Sequence, residues 1–177
     1  MFYISKYDSP IGGITLASNE TELTGVWFDK QKFYADNLPK VCEEKELPVL
    51  TQTKKWLDIY FSGKNPDFTP PIAMNSISSF RKRVWEIMLT IPYGQTLTYG
   101  KIAKQIEKET GKKASSQAVG GAVGHNSVGI IIPCHRVVGS NGSLTGYAGG
   151  LDKKIALLKL EGVDLSLFTI PTKGTAL

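Results

Sequence analysis

Apolar and polar residues alternate through the first third of the chain, in FYISKY, GITLAS and LTGVWF, with DSPIGG as a turn between the first two. A period of two with turn residues between the runs predicts a small antiparallel sheet. The period then lengthens in PVLTQTKKWLDIYFSG, where Leu50, Leu57 and Phe61 recur on a helical face and Gly63 supplies a stop. Residues 64–79, KNPDFTPPIAMNSISS, are rich in Pro, Ser and Asn, and a domain boundary is expected there.

The second half is patterned mainly for helices. In SFRKRVWEIMLTIPYG, Phe80, Val84, Ile87, Met88 and Ile91 fall at helical spacing and Pro92 to Gly94 end the run. LTYGKIAKQIEKETGKK predicts a helix capped near Thr98 with a turn around Gly111, and ASSQAVGGAVGHN a further helix of small side chains. Two short helices about a tight basic turn have the outline of a helix-turn-helix. The apolar run from Gly129 to Ile132 reads as a buried strand leading into Cys134. LDKKIALLKLEG predicts a last helix, with Asp152 as N-cap, Leu151, Ile155 and Leu158 on one face, and Gly162 as stop. The tail after Val163 has few anchoring residues and is expected to be mobile. The fold class is therefore α+β, with an N-terminal sheet domain (1–79), a mostly helical domain (80–165) and a tail (166–177).

Charge divides the same two halves. Residues 1–79 hold 8 Lys/Arg against 10 Asp/Glu, and residues 80–165 hold 12 against 6, with every arginine (Arg81, Arg83, Arg136) in the second half. Such a basic excess suits a phosphate-binding face or a lysine-rich solvated surface. No run reaches the roughly 18 apolar residues of a membrane span, and MFYISKYDSPIGG lacks a secretory pattern, so the default expectation is cytoplasmic with no membrane partner. Two cysteines, Cys42 and Cys134, make no disulfide framework, and with His125 and His135 they form no zinc spacing. A metal-free protein with a free Cys134 thiol is expected.

That thiol has unusual neighbours. In GIIIPCHRVVG it follows Pro133 and precedes His135 and Arg136, so positive charge and donors that lower a thiol pKa are adjacent in sequence. A buried inert cysteine is the alternative. On an extended segment His135 points away from Cys134, so a bend after Pro133 or a bridging water is required. His135 needs an acceptor to fix its tautomer, and Glu161, at the end of the last helix, is the candidate. Gly120, Gly121 and Gly124 each cost a helix interior about 1 kcal/mol relative to alanine. Either tight helix packing or close approach to a nucleic acid backbone compensates.

The segment IPCHRVVGSNGSLTGYAGGLDKKIALLKLEG, with SFRKRVWEIMLTIPYGQTLTYGKIA and AVGGAVGHN upstream, resembles the O6-alkylguanine-DNA alkyltransferases, also called methylated-DNA–protein-cysteine methyltransferases. The resemblance is specific over residues 80–165 and weaker over 1–79. It implies a structural N-terminal sheet domain and a C-terminal winged-helix or helix-turn-helix-like domain. By the same resemblance, that second domain would enter the minor groove of double-stranded DNA and flip an alkylated base out. It also implies a monomer without cofactor that moves the alkyl group of O6-alkylguanine, or of O4-alkylthymine, irreversibly to Cys134. His135 would be the base acting through a water, Glu161 its partner, and Asn126 the tie between recognition helix and cysteine loop. Tyr99 would donate a proton or assist flipping, and Tyr147, Ala148 and Gly149 would line the guanine pocket. Arg81, Lys82, Tyr99, Gly100, Gln117, Ala118, Arg136 and Ser140 would face DNA.

One position departs from the family. Gln117 stands where many members carry an arginine that fills the space of the flipped base, and an amide lacks the charge and planar bulk of a guanidinium. The N-terminal metal-site residues of some relatives are also missing. Two other classes compete: a cysteine hydrolase, for which no papain-like or caspase-like signature is present, and a non-catalytic lesion sensor, which would lack Cys134.

Overall fold

A computed structural model describes residues 1–171 of the 177. The chain forms two compact units, Met1–Ser76 with Ser127–Ile131, and Ile77–Asn126 with the residues from Ile132 onward. The break thus falls three residues before the expected 79/80 boundary, and a short piece from beyond it belongs to the first unit.

In that first unit β1 (Tyr3–Ser9), β2 (Gly12–Ser18) and β3 (Leu23–Phe28) form an antiparallel meander. A two-residue strand β4 (Glu43–Glu44) adds to β1 in parallel, so the sheet is mixed and ordered β3-β2-β1-β4. Every residue of β3 is buried, because its outer edge is covered. Leu23 exchanges hydrogen bonds with Pro71 and Ala73, and Val26 with Ser127 and Gly129. This edge pairing explains why the apolar run at 129–132 is not a strand. Only Val128 bridges to Val26; the chain then reverses at Ile130, whose φ of 69° is left-handed, with Ile131 N–H donating to the Gly129 carbonyl at 2.8 Å. A β-branched residue there is strained, and complete burial of its side chain opposes that cost. Helix α1 (Pro48–Phe61) starts with proline at its first position and lays Leu50, Trp56, Leu57 and Tyr60 against the sheet.

The second unit holds α2 (Ser79–Leu89), β5 (Leu97–Thr98), α3 (Tyr99–Thr110), α4 (Ser116–Gly124), β6 (Val137–Val138) and α5 (Leu151–Leu160). Serine or threonine side chains cap α2, α3 and α4: Ser78, Thr98 and Ser115 accept from Arg81, Lys101 and Ala118 N–H. Gly111 ends α3 in the left-handed conformation. Helices α2, α3 and α4 pack on one another, and the Trp85 indole N–H donates to the Ala122 carbonyl at 3.1 Å, pinning α4 to α2. The pair α3–α4 is the helix-turn-helix. Helix α5 is not capped by Asp152: its N-cap is Gly150, and Asp152 lies in the first turn, where its charge suits the helix dipole.

The predicted mobile tail is anchored over its described part. Leu165 and Phe168 pack on Val138, Leu144 and Leu158, and Thr169 exchanges backbone hydrogen bonds with Gly142 and Leu144 at 3.0 Å. The rest of that expectation concerns residues 172–177, outside the described residues.

Candidate active site around Cys134

Pro133, at φ −81° and ψ 65°, turns the chain so that Cys134 N–H donates back to the Ile132 carbonyl at 2.8 Å. Cys134, His135 and Arg136 then form one 3-10 turn rather than an extended segment, so the three side chains splay around a tight corner. All three are buried. Asn126, just past α4, donates from Nδ2 to the Ile132 carbonyl at 2.8 Å and so ties the helix to the cysteine loop.

Glu161, at the C-cap of α5, gathers the turn's two basic side chains. His135 Nε2 lies 2.6 Å from Oε1, while Arg136 Nε donates to Oε2 at 2.9 Å and Nη2 to Oε1 at 3.0 Å. The main-chain N–H of Gly94 donates to Oε2 at 3.0 Å. Burial would raise the Glu161 carboxyl, but hydrogen bonds and charge from His135 and Arg136 outweigh it and hold the group at about 2. Burial lowers the His135 imidazole against the opposing pull of Glu161, and the charges of Arg136 and Lys154 push the same way. The resting state is therefore a neutral imidazole beside an ionised carboxylate, with the ring proton on Nε2 and Nδ1 as the accepting nitrogen.

The thiol differs from its expectation. Its sequence neighbours predicted a depressed pKa, yet burial pushes Cys134 up, and the Asn126 side chain, the charge of Lys154 and the backbone N–H groups of Cys134 and His135 only partly offset that. A desolvated thiolate costs more than local donors return. At rest the group is a thiol, and it becomes a nucleophile only when a base takes its proton.

Lys154 was not foreseen as a site residue. It is fully buried on α5, donates to the Val137 and Thr145 carbonyls, both at 2.7 Å, and burial lowers its ammonium to about 8. The Thr145 carbonyl also accepts from Tyr99 Oη at 3.2 Å, so lysine and tyrosine brace one loop. Burial, with the adjacent Cys134, pushes the Tyr99 phenol up to about 12. Tyr147 is half-buried, with its ring edge-on to His135 at 6.5 Å between centroids, and Ala148 and Gly149 follow it in the same half-buried loop.

Of the residues expected at DNA, Gln117 and Ala118 are exposed at the start of α4, Ser140 is exposed, and Arg81, Lys82, Tyr99 and Gly100 are half-buried. Arg136 is a correction. It is 8% exposed, its guanidinium is spent on Glu161 and on the Ile91 carbonyl (Nη1, 2.7 Å), and it lies over the Tyr93 ring at 5.7 Å. The α4 glycines are settled on one point: a Cβ at Gly120, Gly121 or Gly124 would meet nothing within 4 Å, so tight intramolecular packing does not account for them. Among the described residues no group of three or more His, Cys, Asp or Glu could hold a metal ion, and no helix is long and apolar enough to cross a membrane.

Two family models match the chain: the 6-O-methylguanine DNA methyltransferase ribonuclease-like domain over residues 2–74 and the DNA binding domain of the same name over 79–163. Methylated-DNA–protein-cysteine methyltransferase of Methanosarcina acetivorans is 44% identical over 160 residues, covering 90% of this chain and 98% of that one. The protein of that name from Mycobacterium tuberculosis is 39% identical, over 95% and 99% of the two chains. The crystal structure of M. tuberculosis OGT in complex with DNA superposes with a TM-score of 0.77 at 38% identity, over 94% of each chain.

Proposed function

Because the chain belongs to the methylated-DNA–protein-cysteine methyltransferase family, we propose that it repairs DNA by taking the alkyl group of O6-alkylguanine onto Cys134, once and irreversibly. The observation that carries the assignment to Cys134 is His135, on the same 3-10 turn as the thiol and hydrogen-bonded to Glu161 at the end of α5. His135 Nδ1 takes the thiol proton, directly or through one water, and Glu161 stabilises the imidazolium that forms. The Cys134 sulfur attacks the alkyl carbon, a C–S bond forms, and the C–O6 bond breaks with its electron pair going to the guanine ring. Tyr99, a phenol held well protonated, donates a hydrogen bond to the ring as that charge develops and keeps its proton. The departing guanine anion takes one proton from water, and the imidazolium returns the thiol's proton to water, so the charges balance.

The product is a thioether. It offers water no carbonyl to attack, so nothing regenerates the thiol and each molecule acts once. A cysteine hydrolase is disfavoured by the family to which the chain belongs. Base flipping costs a few kcal/mol, less at a weakened lesion pair. The loop of Tyr147, Ala148 and Gly149 receives the base, and α4, whose glycine face is open, approaches the duplex with Gln117 and Ala118 leading. Arg81 and Lys82 supply phosphate contacts. All the chemical groups lie in the second unit of one chain, which suits a monomer with the first unit as a structural domain.

Intact-protein mass spectrometry after incubation with duplex DNA carrying O6-methylguanine tests this. One alkyl group per protein is expected, on the peptide containing Cys134 and not on that containing Cys42, and Cys134→Ser should bind lesion DNA without transfer. Alkylation of Cys42, or turnover beyond one equivalent, would refute it.

A further inference from the structure

Arg136 belongs to a cluster that the proposed chemistry uses only through Glu161. Its fork closes on both carboxylate oxygens, its third nitrogen holds the Ile91 carbonyl, and the Gly94 N–H completes the shell of Oε2. Ile91 precedes, and Gly94 lies within, the turn Pro92–Gln95, closed by Gln95 N–H on the Pro92 carbonyl at 3.1 Å. Gly94 has φ 75°, and a Cβ there would stand 2.9 Å from the Glu161 carbonyl oxygen, so the turn reaches the carboxylate only as glycine. A carboxylate with four hydrogen bonds from three directions has no rotational freedom left.

A buried ion pair is a poor device for stability alone, since apolar replacements of similar volume often serve as well. This pair has a function available to it. Glu161 must be charged to stabilise an imidazolium, yet the same charge, left uncompensated, would protonate His135 in advance and abolish the base. A fixed guanidinium on the far side of the carboxylate meets both needs. The other groups facing the pair are Lys154 on α5, which is cationic and repels a proton on His135, and the neutral Cys134, Tyr93 and Tyr147. None of them replaces a charge bonded to both Glu161 oxygens.

We infer that Arg136, with the Gly94 turn, is a positioning residue that orients Glu161 and sets the proton affinity of His135, and that it makes no contact with DNA. The inference rests on the reading of His135 as the base for Cys134. Single-turnover transfer is to be followed against pH with two substrates: duplex DNA bearing O6-methylguanine, and free O6-benzylguanine, which needs no flipping. In Arg136→Met the acid limb should move to higher pH by about one unit, lowering the rate on that limb about tenfold for both substrates alike. An unmoved acid limb in folded Arg136→Met, or a loss confined to duplex DNA, overturns the inference. Should that variant not fold, Arg136→Lys decides, since an ammonium keeps the charge but not the fork. Its His135 side-chain ¹⁵N shifts should report mixed tautomers with a reduced rate, and a single Nε2–H tautomer at the full rate overturns the inference. His135→Asn separates the two readings. If it transfers at the native rate, the base assignment itself fails; if it is slow while the Arg136 variants keep the native acid limb, only the present inference fails.

Discussion

Replacing Glu161 by glutamine should cost stability in a pH-dependent way. The carboxyl is depressed from 4.5 to about 2 by partners that outweigh its burial, which at about 1.4 kcal/mol per pH unit amounts to about 3 kcal/mol of native-state stabilisation. An independent route gives the same order: removing one member of a buried ion pair strands the other, here Arg136, at a cost of about 3–5 kcal/mol. A carboxyl whose folded pKa is lowered stabilises the native state above its unfolded pKa, and that contribution disappears as pH falls through the folded value. The gap between native protein and Glu161→Gln should therefore be full at neutral pH and close as pH falls from about 4.5 towards about 2. Urea unfolding over a range of pH, read from the amide NMR signals of α2 and α5, reports the second unit by itself. With a slope of about 2 kcal/mol per molar urea, the midpoint should drop by about 1.5 M at neutral pH. A gap that stays constant on acidification, or one under about 1 kcal/mol at neutral pH, would show that Glu161 is not the paired carboxylate described here.

Two further substitutions probe the DNA-facing helix. Gly121→Ala places a methyl group in open space, so the free protein should gain up to about 1 kcal/mol in thermal or urea unfolding. Its affinity for duplex DNA should fall, and unchanged affinity in a binding titration would remove the helix face from the interface. Gln117→Arg should speed repair of duplex DNA and leave reaction with free O6-benzylguanine nearly unchanged; equal effects on the two substrates in single-turnover assays would mean that Gln117 has no part in base extrusion.

Much of this molecule is written in local sequence. Strands β1 to β3, helices α1 to α5 and the caps at Thr98 and Gly111 follow from periodicity and from residues that satisfy helix ends within a few positions of themselves. The cysteine turn announced itself as chemistry because proline, thiol, imidazole and guanidinium are adjacent, and Glu161 was found because His135 requires an acceptor. Adjacency misled where long-range contacts decide. The 129–132 run has strand composition, but its neighbour Val128 already serves the edge of β3 and the chain must turn at Ile130. Arg136 reads in sequence as a DNA contact, but its carboxylate partner, 25 positions away, holds it in the structure. Lys154 falls on the Leu151–Leu158 stripe of α5, a signal that was present in the helical spacing, but only the carbonyls of Val137 and Thr145 explain a cation there. The thiol's protonation is the sharpest case. Sequence lists the charges near Cys134, whereas its pKa depends on how much water the fold removes, a property of the packed whole that no local pattern encodes.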